Sequence, residues 1–177
     1  MKILIAYATG EGQTRKIARF VMDRLADQGH AVELLPVAEA DGLDLSRYDR
    51  IILAASVHVG HYQHDMGDFV AEQAGFLSRP QTLFLSVSLA AAGHDAEDWA
   101  DLDRIMQDFA LVTSWTPGKV LQVAGAYKPS QYDIFRRFVM RRIVAAKDPQ
   151  ADLDADHEYT DWTALGQALD NWMTPAA

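Results

Sequence analysis

The 177-residue chain contains no cysteine. That absence excludes disulfides, thiolate metal sites, iron–sulfur clusters and a cysteine nucleophile together, and it fits a cytosolic setting. Positive charge is scarce: 16 Lys and Arg stand against 25 Asp and Glu, a net charge of −9. Such a balance argues against general nucleic-acid binding. No apolar run is long enough to span a bilayer, and the run after Lys2 is too short for a signal peptide. There is no internal repeat and no low-complexity stretch. At 49% hydrophobic and 23% charged residues, the composition is ordinary for a globular protein. The length suits one well-filled domain over 1–177.

What is present begins at the N-terminus. Lys2 to Tyr7 reads as a short apolar strand, and it runs straight into Ala8, Thr9, Gly10, Glu11, Gly12, Gln13 and Thr14. Ile17, Ala18, Phe20, Val21 and Leu25 then recur at helical spacing. A Gly- and hydroxyl-rich turn aims main-chain N–H groups and the Thr9 and Thr14 hydroxyls at one point above a helix N-terminus, which suits a phosphate. A triphosphate P-loop needs Gly-Lys-Ser/Thr, and Gly12-Gln13-Thr14 lacks the Lys. A dinucleotide loop needs a third small residue where Arg15 stands, although Glu33 lies near the distance expected of a ribose-binding acid. A monophosphate held by hydroxyls and N–H groups fits best. A plain strand–turn–helix joint is the remaining alternative.

Strands and helices alternate to the end of the chain. Strands are predicted at 2–7, 31–36, 50–56, 82–88 and 119–126, and helices at 14–28, 65–76, 96–113 and 161–172. Continuous apolar strands between amphipathic helices predict an α/β fold with a doubly wound parallel sheet in the order 2-1-3-4-5. Ligands of that fold bind at the carboxyl ends of the strands, here 8–14, 56–63 and 86–94. His58, His61 and His64 could suggest a metal, but they sit in a predicted loop without a carboxylate or thiolate partner, and the expectation is no metal. Trp99, Trp115, Trp162 and Trp172 read as packing residues.

The connection at 127–158 is far longer than usual. Between Tyr127 and Lys147 lie six bases (Lys128, Arg136, Arg137, Arg141, Arg142 and Lys147) against one acid, Asp133, a net of +5, so the remainder of the chain carries −14. A basic helix is predicted over 132–146, followed by an acidic flexible loop at 148–156. Its arginines could form a solvated face. They could meet anionic lipid beside Ile134, Phe135, Phe138, Val139 and Ile143, or clamp the carboxylates of a substrate. Arg142 falls within the apolar side.

With these residues in view, the chain resembles the flavodoxin superfamily and, more narrowly, the menaquinone-dependent protoporphyrinogen oxidases of bacteria. The resemblance rests on Glu11-Gly12-Gln13-Thr14-Arg15, the Ser56-Val57-His58-Val59-Gly60-His61-Tyr62 run, Ser86-Val87-Ser88-Leu89, Ala124-Gly125-Ala126, Tyr159-Thr160-Asp161-Trp162 and the position of the basic insertion. The acidic 91–103 stretch departs from that pattern. The resemblance implies FMN as cofactor, its phosphate on Thr9, Gly10, Glu11, Gly12, Gln13 and Thr14. It implies a ring site at Ser56, Val57, His58, Gly60 and Tyr62 on one side and Ser86, Val87, Ser88, Leu89 and Ala90 on the other. It further implies an oxidoreductase of heme biosynthesis, oxidising protoporphyrinogen IX to protoporphyrin IX and passing electrons to a membrane quinone. Arg136, Arg137, Arg141 and Arg142 would meet substrate or membrane, with peripheral contact through 127–147 at the inner face of a bacterial cell membrane. No individual catalytic residue follows from it. An FMN electron carrier without a substrate of its own, and a flavodoxin-like quinone reductase, are the alternatives.

Overall fold

The computed structural model describes residues 1–78 and 81–174, apart from the side chain of Phe135. Five parallel strands form one sheet in the order β2-β1-β3-β4-β5: β1 Lys2–Ala8, β2 Ala31–Pro36, β3 Arg50–Ser56, β4 Gln81–Ser88 and β5 Lys119–Ala124. This is the topology expected from the alternating pattern. Successive side chains of a strand point to opposite faces, and here both faces are covered. Ile3, Ile5, Ile52, Leu83 and Leu85 pack against Val21 and Leu25 of α1 (Gln13–Asp27) and Leu169 of α5 (Trp162–Met173). Leu4, Ala6, Leu53 and Phe84 pack against Met66, Phe69 and Val70 of α2 (His64–Leu77), with Ile105, Met106 and Phe109 of α3 (Ala96–Thr113) alongside. Burial on both faces is why these strands lack polar alternation.

The predicted fifth strand ends two residues early. Gly125 leaves the sheet with its N–H donated to the Ser88 carbonyl at 2.9 Å, and a Cβ there would meet Val87 Cγ1 at 3.2 Å. The next two residues, β6 Ala126–Tyr127, pair antiparallel with β7 His157–Glu158. This ribbon closes the base of the insertion. Above it α4 (Ile134–Lys147) starts at Asp133, whose carboxylate accepts the Arg136 N–H at 2.7 Å as an N-cap. Tyr127, Tyr132 and Val144 form a small core of their own, flanked by Leu89, Met140, Leu153 and Tyr159.

The acidic segment expected to be a flexible loop is tied down. The Tyr127 hydroxyl donates to the Leu153 carbonyl at 2.9 Å, Ser130 to Asp156 at 2.8 Å, and Tyr159 to Asp148 at 3.1 Å. Trp115 is buried in the core as expected, whereas Trp99 is over a third exposed and donates its indole N–H to the Gly93 carbonyl.

Candidate functional site

The carboxyl ends of β1, β3, β4 and β5 open into a cavity of about 460 Å³, roofed by α4. That is within the usual size of small-molecule sites. Its walls include Thr9, Glu11, Gln13 and Thr14 from the first turn, Ser56, Val57, His58 and Val59 after β3, and Val87, Ser88 and Leu89 after β4. Gly125, Ala126, Arg136, Val139 and Met140 complete it. Most of the expected site residues therefore meet in one place.

The turn after β1 has the features an anion cradle needs. Gly12 takes φ +84° as the residue before α1, a conformation that favours glycine, and no side chain caps the helix. The first main-chain N–H groups of a helix have no partner within it, and its dipole adds positive potential. Gly12 N–H is held by Thr9 Oγ1 at 3.0 Å. Thr14 is buried, and its Oγ1 has no hydrogen-bond partner; Gln13 Oε1 is likewise buried and unpartnered. Buried polar atoms without partners are rare in folded proteins. The Thr14 hydroxyl can donate to an anion beside the uncapped helix start, whereas the Gln13 oxygen can only accept, so Thr14 and the free N–H groups are what suit the phosphate of FMN.

Gln13 also ties the cradle to the insertion. Its amide nitrogen donates to Glu158 and to Thr160, each at 3.0 Å, and Thr160 donates to the Ala124 carbonyl at 2.6 Å. Glu158 further accepts Lys16 at 2.5 Å and the Trp162 indole N–H at 2.9 Å. Burial pushes the Glu158 carboxyl up, and these donors more than offset it, holding it below the usual range. Sequence reasoning noted Tyr159 to Trp162 as a motif without seeing this clamp; only the antiparallel β6–β7 ribbon brings Glu158 to Gln13.

His58, Val59, Gly60 and His61 form a two-residue hairpin, with paired main-chain bonds between His58 and His61 at 2.8 and 3.1 Å. Both central residues have positive φ, +50° at Val59 and +79° at Gly60, as type I′ turns require. A β-branched residue is strained there, and Val59 is 98% exposed. Val59→Asn creates the preferred Asn-Gly pair, and we expect it to stabilise the protein by about 1 kcal/mol. A higher urea midpoint at unchanged slope would show this.

Several expected residues lie elsewhere. Tyr62 does not reach the cavity: it is buried edge-on against Phe84 and Phe109 and donates to Ser86 Oγ at 2.8 Å, with burial pushing its phenol up to about 12. Ser86 points into that same core. Gly10 is not among the cavity-lining residues but lies close to His58, where a Cβ would meet Nε2 at 3.4 Å. Gly60 forms the turn, and Ala90 opens a short 3-10 turn beyond Leu89. Arg136 is the one of the four insertion arginines that lines the cavity among the described residues. Arg137 donates to the Pro129 carbonyl at 2.8 Å, Arg141 pairs with Asp154, and Arg142 lies over the Phe138 ring at 6.0 Å. Helical spacing explains the division: Arg136, Val139 and Met140 share one face of α4, and 137 and 141 share another. Ile134, Phe138, Val139 and Ile143 are exposed; the side chain of Phe135 lies outside the described residues.

Glu33, the ribose ligand a dinucleotide loop would need, is engaged elsewhere: it accepts the Tyr48 hydroxyl at 2.5 Å and faces Arg47 at 3.8 Å. Among the described residues no group of three or more His, Asp or Glu is placed to hold a metal ion, and no helix is long and apolar enough to cross a membrane.

A flavodoxin-domain family model matches residues 4–154. The chain belongs to the flavodoxin-domain family. Oxidised flavodoxin 1 of Bacillus cereus superposes with a TM-score of 0.58 at 14% identity, covering 100% of both chains. Flavodoxin 2 of the same organism gives 0.57 at 18% identity, covering 98% of each. These likenesses speak for the fold. In sequence, the chain is 28% identical over 162 residues to the protoporphyrinogen IX dehydrogenase [quinone] of Escherichia coli strain K12, covering 92% of this chain and 89% of that protein. The Leishmania major protein of the same name is 27% identical over 165 residues, covering 93% and 71%. Both relatives are oxidoreductases by name, as the sequence motifs lead one to expect.

Proposed function

We propose that this protein is an FMN-dependent oxidoreductase that dehydrogenates protoporphyrinogen IX and delivers the electrons to a membrane quinone. The observation that carries the cofactor is the uncapped start of α1 with the buried, unpartnered Thr14 hydroxyl. The substrate and acceptor rest on the names of the relatives and on the insertion, which roofs the cavity with Val139, Met140 and Arg136. Bound at this site, FMN would supply two-electron, hydride-accepting redox chemistry. The protein's own contribution is to hold and shield. Thr9, Thr14 and the first N–H groups of α1 anchor the phosphate, which needs no basic side chain there. Val57 and His58 on one side and Val87 to Leu89 on the other confine a flat ring, and the apolar roof excludes water.

The exposed Ile134, Phe138 and Ile143 beside basic residues suit a helix resting on anionic lipid at the inner face of the cell membrane, where an apolar tetrapyrrole and a quinone both partition. Each turn of the cycle removes two electrons and two protons from the substrate and makes one quinol. A carrier reading is favoured by the acidic start of α3, with Glu97, Asp98, Asp101 and Asp103, which would dock a basic redox partner.

The deciding experiment is anaerobic mixing of FMN-loaded protein with protoporphyrinogen IX, followed by a menaquinone analogue, watching flavin absorbance. Bleaching and then quinone-dependent recovery is the expected result. A flavin that stays oxidised with this substrate, yet is reduced by a reductase, would favour the carrier.

A further inference from the structure

We propose that Arg136 is the positioning residue that closes the insertion over the cavity, by bridging Glu11 of the first turn and the unprotonated Nδ1 of His58. The inference rests on the reading of the cavity as a flavin site, and it concerns how this chain keeps that site shut.

The contacts converge on one guanidinium. Arg136 pairs with Glu11 Oε1, an ion pair without hydrogen-bond alignment. The same terminal nitrogen lies 2.8 Å from His58 Nδ1. A guanidinium can only donate, so Nδ1 must accept and the imidazole proton must sit on Nε2. That nitrogen is 3.0 Å from Ser56 Oγ, which the Gln63 amide nitrogen holds in turn. The Arg136 plane lies over the Tyr132 ring at 4.9 Å, and the Tyr132 hydroxyl reaches Glu11 Oε2 at 3.3 Å. One side chain from α4 thereby joins the phosphate cradle to the hairpin wall after β3. At the far end of α4, Lys147 pairs with Asp98 of α3. Between these moorings Val144 is buried in the small core of the insertion while Phe138 and Ile143 stay exposed, so the two polar contacts add to a modest apolar anchor.

The arrangement is proton-sensitive. The charged groups that face His58 are Glu11 from the first turn and Arg136 from α4. Burial holds the imidazole below its ordinary pKa of 6.5; the Arg136 charge adds to this, and Glu11 opposes it. A depressed histidine pKa in the closed form means that closure binds fewer protons than opening. Closure is therefore complete above about pH 6.5 and weakens as the pH falls below it. Protonated Nδ1 would also present a donor to a donor.

The test reads FMN release and, separately, the apoprotein. FMN-loaded wild type, Arg136→Ala, Arg136→Lys and His58→Asn are diluted between pH 5 and 8, and release is followed by flavin fluorescence. Asn keeps an acceptor near the Nδ1 position without a titrating group. Wild type is expected to release FMN faster below pH 6.5. Arg136→Ala should release on the order of tenfold faster at pH 8, with the pH dependence lost. Arg136→Lys should recover part of the retention, and His58→Asn, whatever its own release rate, should show a rate that does not change with pH. In the apoproteins, hydrogen exchange of 134–147, corrected for intrinsic rates, should be faster at pH 5.5 than at pH 8 in wild type and fast at both pH 5.5 and pH 8 in Arg136→Ala. If release and exchange in Arg136→Ala match wild type at every pH, the proposal is overturned. Exchange that responds as expected in a wild type that binds no FMN would uphold the closure and sink the flavin reading instead.

Discussion

Thr14→Val is expected to weaken FMN binding by about ten- to a hundredfold while leaving the apoprotein as stable as before, or slightly more so. The two halves of this expectation have different causes. Thr14 is buried at the start of α1 and its hydroxyl meets no protein partner. Valine has nearly the same shape, so no cavity forms, and an unsatisfied polar group leaves the interior. A bound phosphate changes the balance, because the hydroxyl then donates to an anion. Such charge-assisted bonds contribute about 1.5–3 kcal/mol, and about 1.4 kcal/mol is a factor of ten in affinity. Titration of flavin fluorescence at fixed ionic strength gives the affinity, and urea unfolding of the apoprotein gives the stability. An unchanged affinity would remove Thr14 from the phosphate site and, with it, the observation on which the cofactor rests.

The second large effect lies in the insertion. Tyr127→Ala is expected to open 126–159 while the five-stranded sheet stays folded. Tyr127 is completely buried, meets Tyr132 edge-on at 5.7 Å and bonds the Leu153 carbonyl. Truncating a buried aromatic costs about 3–5 kcal/mol, and here that loss falls on a small core separate from the two that sandwich the sheet. A unit with so few buried side chains opens on its own. Hydrogen exchange should lose protection over 126–159 and keep it in β1, β3 and β4. FMN affinity should fall too, because Glu158 would no longer hold Gln13. Tyr127→Phe, which keeps the ring and loses one hydrogen bond, should be milder by about 2 kcal/mol or more. Cooperative loss of the whole fold in Tyr127→Ala would show that the insertion is not a separate unit.

The order of the sheet and the meeting of the first turn with the segments after β3 and β4 around one cavity were legible in the sequence. Each depends on local pattern: apolar runs of strand length, helical spacing after Thr14, and a Gly-rich turn between them. Topology then follows from few physical options, since continuous apolar strands joined by helices must be parallel and covered on both faces. Tyr62 and Ser86 could not be placed that way. Strand alternation puts side chains on opposite faces, and only the paired register shows that these two meet inside the core rather than in the cavity. The four arginines looked equivalent as charges, yet the phase of α4 turns Arg136 inward and gives Arg137 to a carbonyl and Arg141 to Asp154. The acidic loop looked free because its partners, Tyr127 and Ser130, lie more than twenty residues away. Local chemistry, in short range along the chain, determined the fold and the first turn. The roof, its Arg136 mooring and the Gln13 clamp join residues more than seventy positions apart, and only packing in three dimensions could select those pairs.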